Sequence, residues 1–292
     1  MSYTLTVLTV TGLNSILALS VYLTLATGQF SLAQVGFWAI GAYGAAMLTS
    51  MYGWPLLPAL LMPAVFCFLV GAILSYPCLR VRGIYLALAT LGFSECVRIF
   101  FLNFSYQLDV GGTMIGPEGV LGFRYIRVLT QPWHVFLTLG IVMVLMFAIE
   151  RSRYGLALSA IEEDETAAAA SGINPVAAKI IAFALAAAIA AVGGGLYANY
   201  ISFITSNDFS FHLTMLAVLY VGAGGIGTLF GPVFGAILLT LLPEFIRPLQ
   251  EYRMIFFGFL VTLIVLVRPR GLIDERAIRA VGRLFRRRTV RA

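Results

Sequence analysis

Apolar segments recur along almost the whole chain and are separated by short polar or glycine-rich connections. A helix needs about 20 apolar residues to cross the roughly 30 Å of hydrocarbon in a bilayer. Of the 292 residues, 60% are hydrophobic and only 11% are charged, which is more apolar surface than a soluble fold of this size buries. The sequence therefore predicts an all-α, polytopic transmembrane helical bundle of about 8–9 spans. The candidate segments lie near 5–27, 33–51, 56–78, 84–102, 133–149, 177–200, 212–224, 231–246 and 254–267.

Glycine is concentrated in the second, seventh and eighth segments and at Gly193, Gly194 and Gly195. Glycine lets helix backbones approach closely and also permits breaks, so these positions are interpreted either as tight helix contacts or as hinges and gates. We expect broken or re-entrant helices in the glycine-rich segments, where protein or water must cover the irregular backbone. The larger cluster comprises Gly222, Gly224, Gly225, Gly227, Gly231 and Gly235.

Two short glycine-containing runs are similar to each other. Residues 28–32 read GQFSL before the second segment, and residues 225–229 read GIGTL before the eighth. Many transporters carry internal repeats, so the pair is consistent with a duplicated element. Close packing of glycine in membrane helices explains the same similarity without duplication, and both interpretations stay open.

The net formal charge of +6 is concentrated at the carboxyl-terminal end. Residues 268–292 contain nine arginines against Asp274 and Glu275, so the rest of the chain is close to neutral. A basic tail of this kind indicates the cytoplasmic side and anionic lipid rather than a nucleic-acid-binding face. We predict a transmembrane domain over 1–267 and a basic cytoplasmic tail over 268–292.

Arginine placement also predicts the orientation of the helices. Three arginine-bearing regions, 80–82, 151–179 and 268–291, should be cytoplasmic. With an odd number of spans, this places the amino terminus outside and the carboxyl terminus inside. The long connection after the fourth segment then falls outside, where Arg124 and Arg127 are mild exceptions to the rule.

The largest polar interruption in the second half of the chain before the tail is residues 151–176. Ser159 followed by Glu162 fits a helix N-cap with its capping-box partner. The acidic residues Glu162, Glu163, Asp164 and Glu165 suit the positive amino-terminal end of a helix. The pattern predicts a helix that begins at Ser159.

The same helix has a clear end. The alanine run 167–170 favours helix, Gly172 is a natural stop, and Pro175 after Asn174 prevents continuation. We therefore predict a short cytoplasmic helix over 159–172. It is interpreted either as a docking lever for a cytoplasmic partner or as an ordinary connector.

Glu95 and Arg98 are the only pair of opposite charges deep in an apolar segment. Their spacing of three residues places them on one helical face, where they can pair. Charges at membrane depth usually face protein or water, so the pair either lines or braces a pathway or is a structural ion pair between helices.

Clusters of chemistry-bearing residues do not occur in the sequence. His134 and His212 stand alone, the three cysteines show no CxxC spacing, and Lys179 is the only lysine, which excludes a P-loop. We predict no metal site, no bound cofactor and no catalytic residue in this chain.

Five runs occur in the order GQFSLAQ at 28–34, RGIYLALATL at 82–91, ECVR at 95–98, GGIGT at 224–228 and RPRGL at 268–272. They resemble permease subunits of the branched-chain amino-acid importers of the ATP-binding-cassette (ABC) class. The second, third and fourth runs resemble the M-type of the two paralogous permeases. The sequence DVGGTMIG at 109–116 departs from the family's usual Thr-Gly-Gly-x-x-Gly, which puts specificity in doubt if that loop touches substrate.

The stretch 151–176 resembles the coupling-helix region of these permeases, where Glu-Ala-Ala is followed after three residues by Gly. Here Glu165 precedes Ala167 and Ala168, and Gly172 is one place late. The resemblance implies an ATPase-coupling role for Ser159, Glu162, Glu163, Asp164, Glu165, Ala168 and Gly172. A role in the translocation pathway or its gate is expected for Gln29, Ser31, Glu95, Arg98, Gly224 and Gly225.

The resemblance further implies a multi-pass protein of the bacterial inner membrane that works with other subunits. These are a paralogous permease that completes a heterodimer, two cytoplasmic ATPases that bind ATP and Mg²⁺, and an external substrate-binding protein. A related importer for urea, amides or another small polar solute is the nearest alternative. A secondary transporter or channel would need ionisable residues within the membrane, for which only Glu95 qualifies.

Overall fold

Helices form nearly all of the regular structure in a computed structural model that describes residues 3–81, 83–110 and 113–245, with Gly258 and Thr262. The predicted ninth segment, 254–267, lies outside the described residues apart from Gly258 and Thr262, and the tail 268–292 lies outside them entirely. The helices are α1 Tyr3–Leu25, α2 Gln34–Ser50, α3 Leu56–Cys78, α4 Ile84–Asn103, α5 Pro132–Arg151, α6 Arg153–Glu163, α7 Glu165–Ala170, α8 Pro175–Ile201, α9 Phe211–Gly224 and α10 Phe230–Phe245.

The loop between α4 and α5 contains the two strands of the described residues. Strand β1 (Leu108–Val110) pairs antiparallel with β2 (Thr113–Ile115), with Leu108 opposite Ile115, and a short 3-10 turn follows at Gly119–Leu121. A second 3-10 turn, Ser206–Phe209, lies between α8 and α9. The small hairpin was not predicted, because each strand has only three residues and alternation over three residues carries little signal.

Among the described residues, five helices are long and apolar enough to cross a membrane: α1, α3, α4, α5 and α8. The prediction of a polytopic helical membrane protein is confirmed. The glycine-rich helices α2, α9 and α10 have 17, 14 and 16 residues, so each is shorter than a full span. The prediction of about 8–9 spans therefore depends on how these three helices cross.

Helix α8 lies at the centre of the bundle, where α1, α2 and α3 pack against it. Small side chains permit this contact. A Cβ atom on Gly41 of α2 would lie 2.0 Å from the carbonyl oxygen of Ala191, and one on Gly194 would lie 2.0 Å from that of Trp38. The two backbones therefore touch, and the packing interpretation of this glycine cluster is favoured.

Helices α9 and α10 form a second close pair. A Cβ atom on Gly224 would lie 1.8 Å from the carbonyl oxygen of Gly231, and one on Gly235 would lie 1.9 Å from that of Tyr220. The side-chain amide of Asn14 in α1 donates to the Thr240 hydroxyl at 3.0 Å, which connects this pair to the rest of the bundle.

The helix ends alternate between two faces of the bundle. On the first face, the backbone N–H of Arg127 donates to the Ser50 hydroxyl at 3.0 Å, and Phe123 pairs with Ile204. The end of α2 and the loops 104–131 and 202–210 thus lie together, and we call this the hairpin face.

On the opposite face, the Tyr22 hydroxyl at the end of α1 donates to the Glu150 carboxylate at 2.8 Å. Residues 152–174, the connector segment, also lie here, between the end of α5 and the start of α8. We call this the connector face. Arginine placement predicts that the connector face is cytoplasmic and the hairpin face external.

Candidate functional site

The connector segment contains two helices rather than the single predicted one. Helix α6 begins after Ser152, whose hydroxyl accepts a hydrogen bond from Gly155 N at 3.2 Å. The prediction that Ser159 caps a helix with Glu162 is wrong, because Ser159 lies inside α6. Ser152, which directly follows the extended break after α5, is the cap that the sequence analysis missed.

Asp164 separates the two helices and caps the second one. Its Oδ1 atom accepts hydrogen bonds from the backbone N–H groups of Thr166 at 2.8 Å and Ala167 at 3.1 Å. The hydrogen bond from the Thr166 hydroxyl, together with these backbone donors, lowers the pKa of Asp164. The acidic cluster therefore straddles the junction, with Glu162 and Glu163 ending α6 and Glu165 beginning α7.

Helix α7 ends as predicted at Gly172. This residue has a φ of 85°, a left-handed conformation that favours glycine. Its N–H donates to Ala169 O at 3.0 Å, and the N–H of Ile173 donates to Ala168 O at 3.2 Å, which is the Schellman pattern. Ala168 faces the core, whereas Gly172 is exposed with no atom within 4 Å of the place a Cβ would occupy.

Two contacts attach the connector segment to the first turns of α8. Lys179 Nζ lies 2.8 Å from Glu165 Oε2, and the Tyr154 hydroxyl donates to Ala178 O at 2.7 Å. Burial raises the pKa of Tyr154 to about 12, so this hydroxyl keeps its proton at neutral pH. We call this pair of contacts the α8 strap. The sequence analysis missed both contacts, since the residues of each pair are too far apart in sequence to be neighbours on one helix.

The first glycine turn, residues 26–33, is an irregular segment between α1 and α2. Gly28 has a φ of 70°, and residues 29–33 have no regular secondary structure. The N–H of Leu32 donates to the Thr90 hydroxyl at 2.9 Å, and the Ser94 hydroxyl donates to Leu32 O at 2.8 Å. Side chains of α4 thus replace the missing helical hydrogen bonds.

The depth of this turn follows from its partner on α4. Ser94 is ten residues after Ile84, the first residue of α4, which at 1.5 Å per residue is about 15 Å into the helix. That is about half of a hydrocarbon layer. Helix α2 therefore begins at membrane depth after irregular backbone covered by protein, as the broken-helix prediction requires. Thr90 and Ser94 are four residues apart and therefore share one face of an otherwise apolar helix. This spacing was the sequence signal that could have predicted a polar contact from α4 to an irregular segment.

Gln29 and Ser31 are both buried in the first glycine turn, at 4% and 1% exposure. The Ser31 hydroxyl lies 3.3 Å from Gln34 Oε1 and accepts from the N–H of Ala33. The Nε2 donor of Gln29 has no hydrogen-bond partner within the described part of the chain. A buried donor without a partner costs about 1–3 kcal/mol, which makes this amide a place where a ligand or water would be stabilised.

The second glycine turn, residues 225–229, joins α9 to α10. Gly224 and Gly225 are buried, and Gly225 has a φ of 104°. The hydroxyl oxygen of Thr228 is also buried without a partner among the described residues. Each glycine turn thus holds one unsatisfied polar side-chain atom.

Glu95 and Arg98 form the predicted ion pair on α4, with Arg98 Nε 2.7 Å from Glu95 Oε1. Arg98 Nη1 also donates to Asn207 Oδ1 at 3.3 Å, so the pair connects α4 to the turn Ser206–Phe209 near the hairpin face. The Arg98 side chain is 19% exposed and that of Glu95 is 40% exposed. The contact with Asn207 fits the bracing role, and the exposed Glu95 carboxylate stays available to a ligand.

These residues do not converge on one centre. The connector segment lies at the connector face, whereas the first glycine turn meets α4 at Ser94, the residue before Glu95, and Arg98 reaches from there to Asn207 near the hairpin face. Within the described ranges, no group of three or more His, Cys, Asp or Glu side chains is placed to hold a metal ion. The arrangement is that of a protein with a polar break at membrane depth and an ion pair that begins beside it on α4.

Comparison with known proteins identifies a family of membrane permeases. The family described as "Branched-chain amino acid transport system / permease component" matches residues 3–266. The high-affinity branched-chain amino acid transport system permease protein LivM of Escherichia coli (strain K12) is 34% identical, and its counterpart of Salmonella typhimurium is 32% identical. Each match covers 90% of this chain but only 66% of the relative.

A further relative is named for a different solute. The galactose/methyl galactoside import permease protein MglC of Salmonella typhimurium is 27% identical over 64% of this chain and 59% of its own length. No solved structure matches.

Proposed function

The chain belongs to the family of permease components of branched-chain amino acid transport systems, and from that premise we propose that it forms half of the translocation pathway of an ABC importer. The resemblance read from the five sequence runs is confirmed. The proposed solute is a branched-chain or similar amino acid, after the names of the most similar relatives reported above.

The proposed complex has the subunits that the family resemblance implies. A paralogous permease completes the pathway, two cytoplasmic ATPases bind ATP and Mg²⁺, and an external binding protein delivers the solute. The proposed location is the bacterial inner membrane, with the connector face in the cytoplasm. The exposed acidic residues Glu162, Glu163 and Asp164 then face the ATPase.

The observation that carries the coupling proposal is the α8 strap. A segment that only connected two spans would need no attachment beyond its ends, yet Glu165 and Tyr154 both bind the start of α8. Helix α8 in turn touches α2 backbone to backbone through Gly41 and Gly194. Displacement of α7 by an ATPase is thereby transmitted to α8 and to α2, the helix that follows the first glycine turn.

The polar atoms of the two glycine turns support a pathway that passes these turns. Gln29 and Ser31 in the first turn, and Gly224 and Gly225 next to Thr228 in the second, supply buried polar groups and irregular backbone. Broken helices near the membrane midplane form the solute sites of many secondary transporters. Glu95 and Arg98 are proposed to line or brace the pathway in its outer half.

The testing experiment measures ATP hydrolysis by the complex co-purified with this chain, in lipid, with and without solute-loaded binding protein. The wild type is expected to be stimulated. The double variant Gly172→Trp with Glu165→Arg is expected to keep its partner permease and to lose the ATPases or their stimulation. Normal stimulation in that variant would reduce the connector segment to a linker. Solute uptake into vesicles by the chain without any ATPase would instead establish a secondary transporter.

A permease for another small polar solute is the second candidate, because the MglC relative shows that sugar importers share this sequence pattern. Competition against uptake of radiolabelled leucine distinguishes the two. Inhibition by isoleucine and valine but not by urea or galactose supports the amino-acid assignment.

A further inference from the structure

An apolar groove of about 560 Å³ opens on the side of the bundle between α3 and α4. The groove exists because α3 packs on α8 and α2 while α4 packs on α2, so that α3 and α4 hardly touch. Helix α2 forms its floor. The lining residues are Ile40, Gly44, Met47, Leu48, Tyr52, Met62, Pro63, Phe66, Phe100, Phe101, Phe104 and Tyr106.

The groove is as long as one leaflet is deep. Ile40 and Leu48, at its two ends on α2, are eight residues apart, which at 1.5 Å per residue is about 12 Å. One leaflet contributes roughly 15 Å of hydrocarbon. The groove therefore lies in the half of the bundle that ends at the hairpin face, and its lining is apolar apart from the hydroxyls of Tyr52 and Tyr106.

Aromatic side chains with polar tips mark the mouth of the groove. Tyr52 and Tyr106 hydrogen-bond to each other there, and Trp54, two residues after Tyr52, is exposed. Tyrosine and tryptophan are enriched at this level of a membrane, where an apolar ring meets the headgroup layer.

A cation lies next to the mouth. Arg127 is exposed, its N–H is bound to Ser50, and its Nη1 atom lies 3.9 Å from where a side chain on Gly53 would begin. Arg127 is also one of the arginines that the positive-inside rule does not explain. The apolar groove thus ends in an aromatic mouth, with the Arg127 guanidinium beside Gly53, the residue that follows Tyr52.

We propose that the groove and Arg127 form a binding site for one phospholipid of the leaflet at the hairpin face. An acyl chain occupies the groove between α3 and α4, and the phosphate lies on the Arg127 guanidinium. The apolar lining matches the chain, and the positive charge at the mouth matches the anionic phosphate. The site assigns a role to an arginine that the transport proposal does not use.

The site is tested with phosphatidylglycerol that carries a photoactivatable diazirine on its acyl chain. The complex containing the full chain is reconstituted into phosphatidylcholine nanodiscs with this probe, irradiated, and mapped by peptide mass spectrometry. We expect insertion into the peptides that contain Phe66 and Phe100. Arg127→Gln is expected to reduce it several-fold, whereas Arg124→Gln, the matched exposed arginine of the same loop, leaves it unchanged.

A second pair of variants tests the groove itself. Met47→Trp fills it and is expected to abolish labelling, whereas Val144→Trp, on an exposed part of α5 outside the groove, has no effect. Equal labelling in Arg127→Gln and Arg124→Gln would overturn the phosphate contact. In a background in which the three native cysteines are replaced by alanine, crosslinking to another subunit from a benzophenone attached to Met62→Cys would overturn the lipid site and show that the groove is a protein interface.

Discussion

At the residue scale, Gly172 shows how backbone conformation alone constrains the connector segment. Its φ of 85° is costly for alanine by about 1–2 kcal/mol, whereas asparagine tolerates the left-handed region better. No atom of this chain lies within 4 Å of the place that a Cβ atom on Gly172 would occupy, so a side chain there meets no steric obstruction. Gly172→Ala is therefore expected to increase amide hydrogen exchange across α7 by about tenfold, and Gly172→Asn by less. Equal exchange in the two variants would exclude backbone strain as the reason for glycine.

Asp164 carries a pH dependence with a definite sign. The pKa of Asp164 is lower in the folded protein than in the unfolded chain. The cap therefore stabilises α7 fully at pH values above the unfolded-state pKa, and this stabilisation is lost as the pH falls through the folded-state pKa. Exchange at the amides of Thr166 and Ala167 should therefore rise in acid relative to Asp164→Asn, which caps without titrating. Identical acid profiles for the two proteins would assign the transition to the neighbouring glutamates.

At the element scale, the α8 strap is expected to matter more for coupling than for stability. A partly exposed ion pair contributes only about 0–1 kcal/mol, so Glu165→Lys or Lys179→Glu alone should hardly change the thermal unfolding of the purified complex. Each single variant should nevertheless reduce stimulated ATP hydrolysis several-fold. The exchanged pair, Glu165→Lys with Lys179→Glu, should restore most of it. Failure of the exchanged pair to recover would mean that Glu165 contacts the ATPase directly.

The elements also show which features sequence predicts well. The continuous apolar segments predicted the five long helices and the positions of the three shorter ones, because a helix that crosses lipid is apolar along its whole length, whatever its neighbours are. Gly172 and Pro175 predicted the end of α7 correctly, because the conformations that these two residue types favour are also a local property. The predicted start of the first connector helix, at Ser159, was wrong. Ser152 and Ser159 are equally good N-caps by residue type, and which of them caps the helix depends on where α5 ends. The strap and the hydrogen bonds of Thr90 and Ser94 join residues distant in sequence, which a single sequence does not reveal.

At the scale of the whole molecule, the orientation of the bundle can be tested with two exposed loop residues. Val120 lies in the loop of the hairpin face and Thr166 in the connector segment. In a background in which the three cysteines are replaced by alanine, Val120→Cys should react with a membrane-impermeant maleimide in intact cells. Thr166→Cys should react only after permeabilisation. The reverse pattern would place the amino terminus inside and the proposed coupling surface on the wrong side of the membrane.

The lysine of the α8 strap has a practical consequence. Because Lys179 is the only lysine of the chain, its amine and the amino terminus are the only primary amines that the polypeptide offers to an acylating reagent. Acylation at Lys179 requires the amine to leave Glu165. The rate of that single reaction, followed with and without nucleotide, thus reports whether the strap opens during turnover, with no residue to replace.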